Sequence, residues 1–64
     1  MEKISLKAAR VNAGLSQKKA AELLGISNKT LCSWEKKKTF PDQPMIERLC
    51  NLYGRPYDMI DFTA

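Results

Sequence analysis

Asn28, Lys29, Cys32, Ser33 and Lys36 are related by three- and four-residue steps. On an α-helix those steps return to one side. An asparagine amide can pair bidentately with adenine N6 and N7, and a lysine can donate to guanine O6 and N7. A serine hydroxyl suits several bases; Cys32 either touches a thymine methyl or is merely tolerated. The chemistry this side can do is therefore recognition of base edges in the major groove of duplex DNA, which is wide enough to admit a helix. The alternative is an ordinary solvated helix surface.

Other chemistry has little to work with. The 64 residues contain no histidine, two cysteines (Cys32 and Cys50) and no Cys-x-x-Cys pair, too few ligands for a zinc site. Without paired carboxylates or a glycine-rich phosphate loop, no catalytic constellation can be assembled. The chain is expected not to be an enzyme and to carry no cofactor, metal or small-molecule ligand. Two cysteines make no disulfide framework, and no apolar run reaches the length of a membrane span, so a soluble cytoplasmic protein without a membrane partner is expected.

Net charge is +4. That fits a nucleic-acid partner without requiring one. Its distribution says more. Lys18, Lys19, Lys29, Lys36, Lys37 and Lys38 fall in and around one stretch, whereas Glu2, Asp42, Glu47, Asp58 and Asp61 lie outside it.

The elements that must position this side follow from periodicity and punctuation. A first helix is predicted over 4–13, with Gly14 as its stop. Leu6 and Ala13 share one side of it with Arg10, which needs a buried partner or must snorkel to water. Leu15 points inward, Ser16 caps a second helix over 17–24, and Gly25 ends it. Ser27 caps a third helix, 28–36. Two helices joined by a short glycine turn make a helix-turn-helix pattern, whose inner side is Ala20, Ala21, Leu24, Ile26, Leu31 and Trp34. In the charged loop that follows, Phe40 either folds back on the core or sits exposed. Asp42 or Gln43 caps a fourth helix over 44–53, with Pro44 in its first turn and Ile46, Leu49, Cys50 and Tyr53 on its buried side. Gly54 stops it, and a short fifth helix over 56–61 follows. There is no strand signal. The predicted fold is all-α, one domain over 1–64, a compact bundle of five short helices.

The stretch 17–35, with Ala21 and Gly25 at its fifth and ninth positions, resembles the helix-turn-helix of phage repressor and Cro proteins. That family includes many small bacterial regulators of the xenobiotic-response-element type. Arg10, the Gly-Leu-Ser-Gln sequence at 14–17, Trp34 with Glu35, and Leu-Tyr-Gly at 52–54 extend the match to roughly nine-tenths of the chain. The fold implied is lambda-repressor-like.

The resemblance implies an ion pair between Arg10 and Glu35. It also implies that Gln17, at a helix start where the dipole favours an anion, binds phosphate and braces the recognition helix. Ser27, Thr30, Lys36, Lys37, Lys38 and Thr39 are the further phosphate candidates; Asn28, Lys29, Ser33 and Cys32 are the base-contacting ones. Many family members have glycine where Lys37 stands, so Lys37 must adopt positive φ or the turn must differ. A homodimer on a pseudo-palindromic operator is implied, with half-sites roughly 34–36 Å apart. Since no separate oligomerisation segment is evident, Tyr57, Met59, Ile60 and Phe62 are its candidate contacts; the alternative is that they cap the core of a monomer. The function implied is a sequence-specific regulator of transcription, a Cro-like or prophage repressor in a bacterial or phage-infected cell. An antitoxin or other protein-interaction module on the same fold is the alternative.

Overall fold

A computed structural model describes residues 3–62. In chain order it has β1 (Ile4–Ser5), α1 (Leu6–Asn12), α2 (Gln17–Leu24), α3 (Asn28–Glu35), α4 (Gln43–Tyr53), a single 3-10 turn (Tyr57–Met59) and β2 (Ile60–Asp61). No helix among the described residues is long and apolar enough to cross a membrane.

Each helix starts where a short polar side chain can satisfy an orphaned amide. Ser5 Oγ accepts from the Ala8 amide at 3.0 Å and Ser16 Oγ from the Lys19 amide at 3.0 Å. Ser27 Oγ accepts from the Thr30 amide and Asp42 Oδ1 from the Met45 amide, each at 3.1 Å. The α4 cap is thus Asp42 rather than Gln43. The ends are equally regular. At Gly25 (φ 72°) the Ile26 amide donates to the Ala21 carbonyl and the Gly25 amide to that of Glu22, which closes α2 and turns the chain into α3.

Two parts of the predicted layout are corrected. The first helix begins at Leu6, not residue 4, because Ser5 caps it and Ile4–Ser5 pairs with the far end of the chain. The fifth helix does not form: residues 57–59 make one 3-10 turn, and 60–61 run extended. The two ends meet as a parallel two-stranded ladder, Ile4 opposite Ile60 and Ser5 opposite Asp61. Two-residue strands are too short to show a period of two, and their pairing is set by partners more than fifty positions apart.

The core joins all four helices and β2. Leu6 and Ala9 of α1, Ala20, Ala21 and Leu24 of α2, Leu31 of α3, Leu49 and Tyr53 of α4, and Ile60 are buried together. Leu31, Leu49 and Ile60 are its largest fully enclosed side chains. Each such side chain contributes about 1.5–3 kcal/mol by leaving water. Ile4, Leu15, Ile26 and Trp34 pack against this cluster. Ala13 does not join Leu6 on the buried side: α1 ends at Asn12, and Ala13 is an exposed cap. Phe40 is exposed.

The end of α3 is unusual in one residue. The Lys38 amide donates to the Ser33 carbonyl at 2.9 Å and the Lys37 amide to that of Trp34 at 3.1 Å, the same closure that Gly25 makes. Lys37 therefore holds φ 62°, where a Cβ costs about 1–2 kcal/mol. Lys37→Gly should be more stable than Lys37→Ala by about 1 kcal/mol, since both lose the ammonium group and only alanine keeps the Cβ. Urea unfolding of the two variants reads this directly; equal midpoints would mean that the turn carries no strain.

Candidate nucleic-acid interface

The interface is built outward from a buried carboxylate. Glu35, in the last turn of α3, accepts from Arg10 Nε of α1 at 2.8 Å and from Gln17 Nε2 of α2 at 3.1 Å. Arg10 Nη2 lies at the outer hydrogen-bonding limit from the second carboxylate oxygen, 3.5 Å, and Nη1 donates to the Leu15 carbonyl at 2.8 Å. The two charged side chains are 10% and 5% exposed. Arg10 sits one turn after Leu6 and beside Ala9, so α1 points it into the protein, and Glu35 and the Leu15 carbonyl supply what its guanidinium lost on leaving water. Three helices are bound to one another at this point.

Tyr53 of α4 is close enough to feel both charges. Its hydroxyl is buried and has no hydrogen-bond partner among the described residues. Burial, and then the Glu35 charge, push its pKa up from the ordinary 10 to about 12, with Arg10 pulling the other way.

With its inner side held by Leu31 and Trp34 and its end held by Glu35, α3 leaves a polar side outward. Asn28 and Lys29, at its start, are exposed; Thr30, Cys32 and Ser33 are half-buried; Lys36 is exposed at the end. The Ser27 and Thr30 hydroxyls lie 2.8 Å apart, so one donates to the other and a single O–H is left to point elsewhere. Lys38 and Thr39 are exposed in the loop beyond. Lys37 is turned away: its Nζ lies 3.4 Å from Asp61 Oδ2 in β2.

A groove of about 380 Å³ runs between α1, the start of α2 and α3. It is lined by Lys7, Arg10, Ser16, Gln17, Cys32, Glu35 and Lys36. Arg10 and Glu35 neutralise each other, so the positive character of the lining comes from Lys7 and Lys36. Lys7 is a residue that the sequence analysis passed over, although its place three residues before Arg10 puts it on the neighbouring helix surface. Asp61 as the partner of Lys37 had no sequence signal, since it depends on the β1–β2 pairing.

The four candidate dimer residues separate. Ile60 is 1% exposed and belongs to the core, so it has no surface to offer; β2 pairing with β1 turns it inward. Tyr57 is exposed and stacks on Phe62 with ring centroids 5.7 Å apart, and Met59 is half-buried. Tyr57 also lines a second groove of about 540 Å³ with Ile46 and Cys50 of α4. Cys50 packs against the core from that side, and burial followed by the nearby Glu47 pushes its thiol pKa up.

Comparison with known proteins bears on this geometry. A helix-turn-helix family model matches residues 6–60. The HTH-type transcriptional regulator ImmR of Bacillus subtilis is 42% identical over 55 residues, which are 86% of this chain and 43% of that protein. The chain thus spans less than half the length of that curated relative. No solved structure matches.

Two outcomes follow from the buried cluster. Glu35→Gln leaves the Arg10 charge without its counterion and should cost about 3–5 kcal/mol. That is comparable with the whole stability of a domain this size, roughly 3–10 kcal/mol. An unchanged thermal midpoint would show that the pair contributes nothing. For Tyr53 the folded pKa lies above the unfolded one, so its contribution to stability is present below pH 10 and is lost as pH rises from 10 towards 12. Tyr53→Phe should be at least as stable as the wild type at pH 7, because an unmatched buried hydroxyl costs about 1–3 kcal/mol. It should also lose less stability between pH 10 and 12, as urea unfolding at the two pH values will read.

Proposed function

The chain belongs to the helix-turn-helix family, and from that premise we propose that it is a sequence-specific double-stranded DNA-binding transcriptional regulator that reads the major groove with α3. The observation that carries the proposal is the asymmetry of α3. Its inner side and its end are fixed by Leu31 and the Arg10–Glu35–Gln17 cluster, while Asn28 and Lys29 stand exposed at the end a groove would meet first. A helix held this rigidly presents its side chains at a fixed separation, which bidentate pairing with a base edge requires.

In this proposal Asn28 and Lys29 make the principal base contacts, with Ser33 and Cys32 beside them. Gln17, Ser27, Thr30, Lys36, Lys38 and Thr39 lie along the phosphates, and Lys7 joins them across the groove from Lys36. Gln17 does two things at once: its Nε2 braces Glu35, and the α2 amides beside it face an anion. Arg10 and Glu35 touch no DNA; they position α3.

A domain this small covers one half-site, so specific binding calls for two copies on a pseudo-palindrome about one helical turn apart. Tyr57, Met59 and Phe62 remain as contacts for the second copy, without Ile60. A Cro-like or prophage-type repressor, excluding polymerase from an overlapping promoter, is the regulatory role that fits.

Selection of bound sequences from a random duplex library tests this reading. A consensus with two inverted half-sites supports it, and recovery of no consensus counts against it. On the selected operator, Asn28→Ala or Lys29→Ala should cost about 1–3 kcal/mol at the affected base pair and relax preference there. Lys38→Ala should weaken all sequences alike and flatten the dependence on salt. Identical profiles for the two kinds of variant would contradict direct readout by α3.

A further inference from the structure

Lys37 is the middle of three consecutive lysines at the end of α3, and its neighbours on either side are exposed. Its own ammonium is held instead by the Asp61 carboxylate at 3.4 Å, with the two side chains 35% and 39% exposed. A contact this long and this wet is screened and weak, so a better anion can displace it. The two partners are not equally mobile. Asp61 is fixed, because Ser5 of β1 stands opposite it and the adjoining Ile60 is locked in the core. Lys37 has a flexible four-carbon stem on a turn whose backbone is tied by its hydrogen bonds to α3. What can swing is the lysine.

We propose that Asp61 is an intramolecular stand-in for a DNA phosphate: it holds Lys37 in the free protein and surrenders it to the backbone of a bound duplex. A carboxylate offers an ammonium group the same kind of charged oxygen acceptor as a phosphate, and it sits within reach of the turn that follows the recognition helix. Asp61 is then an affinity-setting residue that no DNA contact would reveal. It lowers binding by the free energy needed to part it from Lys37, and it spares the free protein part of the repulsion among three adjacent lysines. The inference rests on the DNA-binding reading above.

The test is fluorescence anisotropy on the selected operator duplex, repeated at several salt concentrations, with a thermal melt of every variant to fix an assay temperature at which it is folded. Asp61→Asn should bind about two- to fivefold more tightly than Asp58→Asn, which makes the same charge change at an exposed site in the neighbouring 3-10 turn. Lys37→Met should weaken the Asp61→Asn protein by a similar factor more than it weakens the wild type. A merely structural tie predicts a different binding pattern: no gain for Asp61→Asn over Asp58→Asn, and the same Lys37→Met effect in both backgrounds. That pattern would overturn the inference while leaving DNA binding intact. A wild-type protein that binds no duplex would sink the DNA-binding reading itself, and this inference with it.

Discussion

A carboxylate that is 5% exposed can exist inside so small a protein only if its charge and lone pairs are met, and Glu35 meets that condition with donors from two other helices. Arg10 brings α1 to it and Gln17 brings α2. Neither Glu35 nor Arg10 is tolerable without the other, so the arrangement of the three helices is fixed by electrostatics as well as by packing. Apolar contact between the helices is non-directional and would allow some sliding. The hydrogen-bonding directions of a guanidinium and a carboxylate allow much less.

That rigidity divides α3 into two sides with different work. Leu31 and Trp34 face the core, while Asn28 and Lys29 are exposed and Ser33 is half-buried on the opposite, polar side. Gln17 is the hinge of this division. It is the first residue of α2, one of its amide hydrogens is committed to Glu35, and its backbone belongs to a helix start that favours anions. In the proposed complex with DNA, phosphate binding at that helix start would be linked to the placement of α3 through this one side chain.

The local features were open to sequence reasoning because their causes are local. Ser16 and Ser27 as caps and Gly25 as a stop each depend on the few residues around them. The choice of Asp42 over Gln43 as a cap, and of a positive φ at Lys37 over a different turn, is not settled by the sequence and is decided by the structure. The features that were missed depend on distant partners. Ile4 and Ser5 look like the first turn of a helix until Ile60 and Asp61 arrive to pair with them. Residues 56–61 are apolar enough for a helix, yet one 3-10 turn suffices to bring Ile60 into the core, and the extended backbone of β2 then takes over. Of the two readings of Ile60, dimer contact or cap of the core, its burial fits the second. In the candidate interface the residue types and their spacing along α3 were legible, whereas Lys7 and the Lys37–Asp61 contact arise only when α1 and β2 are laid against α3.

The central claim is that Arg10 and Glu35 act as one unit that fixes the recognition helix. A double-mutant cycle on urea unfolding addresses it most directly, comparing Arg10→Ala, Glu35→Ala and the double variant, in a stabilising osmolyte where a single variant is too weak to measure. The account predicts that the double variant loses less stability than the two single losses combined, by more than about 1 kcal/mol, because the second removal relieves a stranded charge. Losses that add to within roughly 0.3–0.5 kcal/mol would mean that the two residues act independently, and would contradict it.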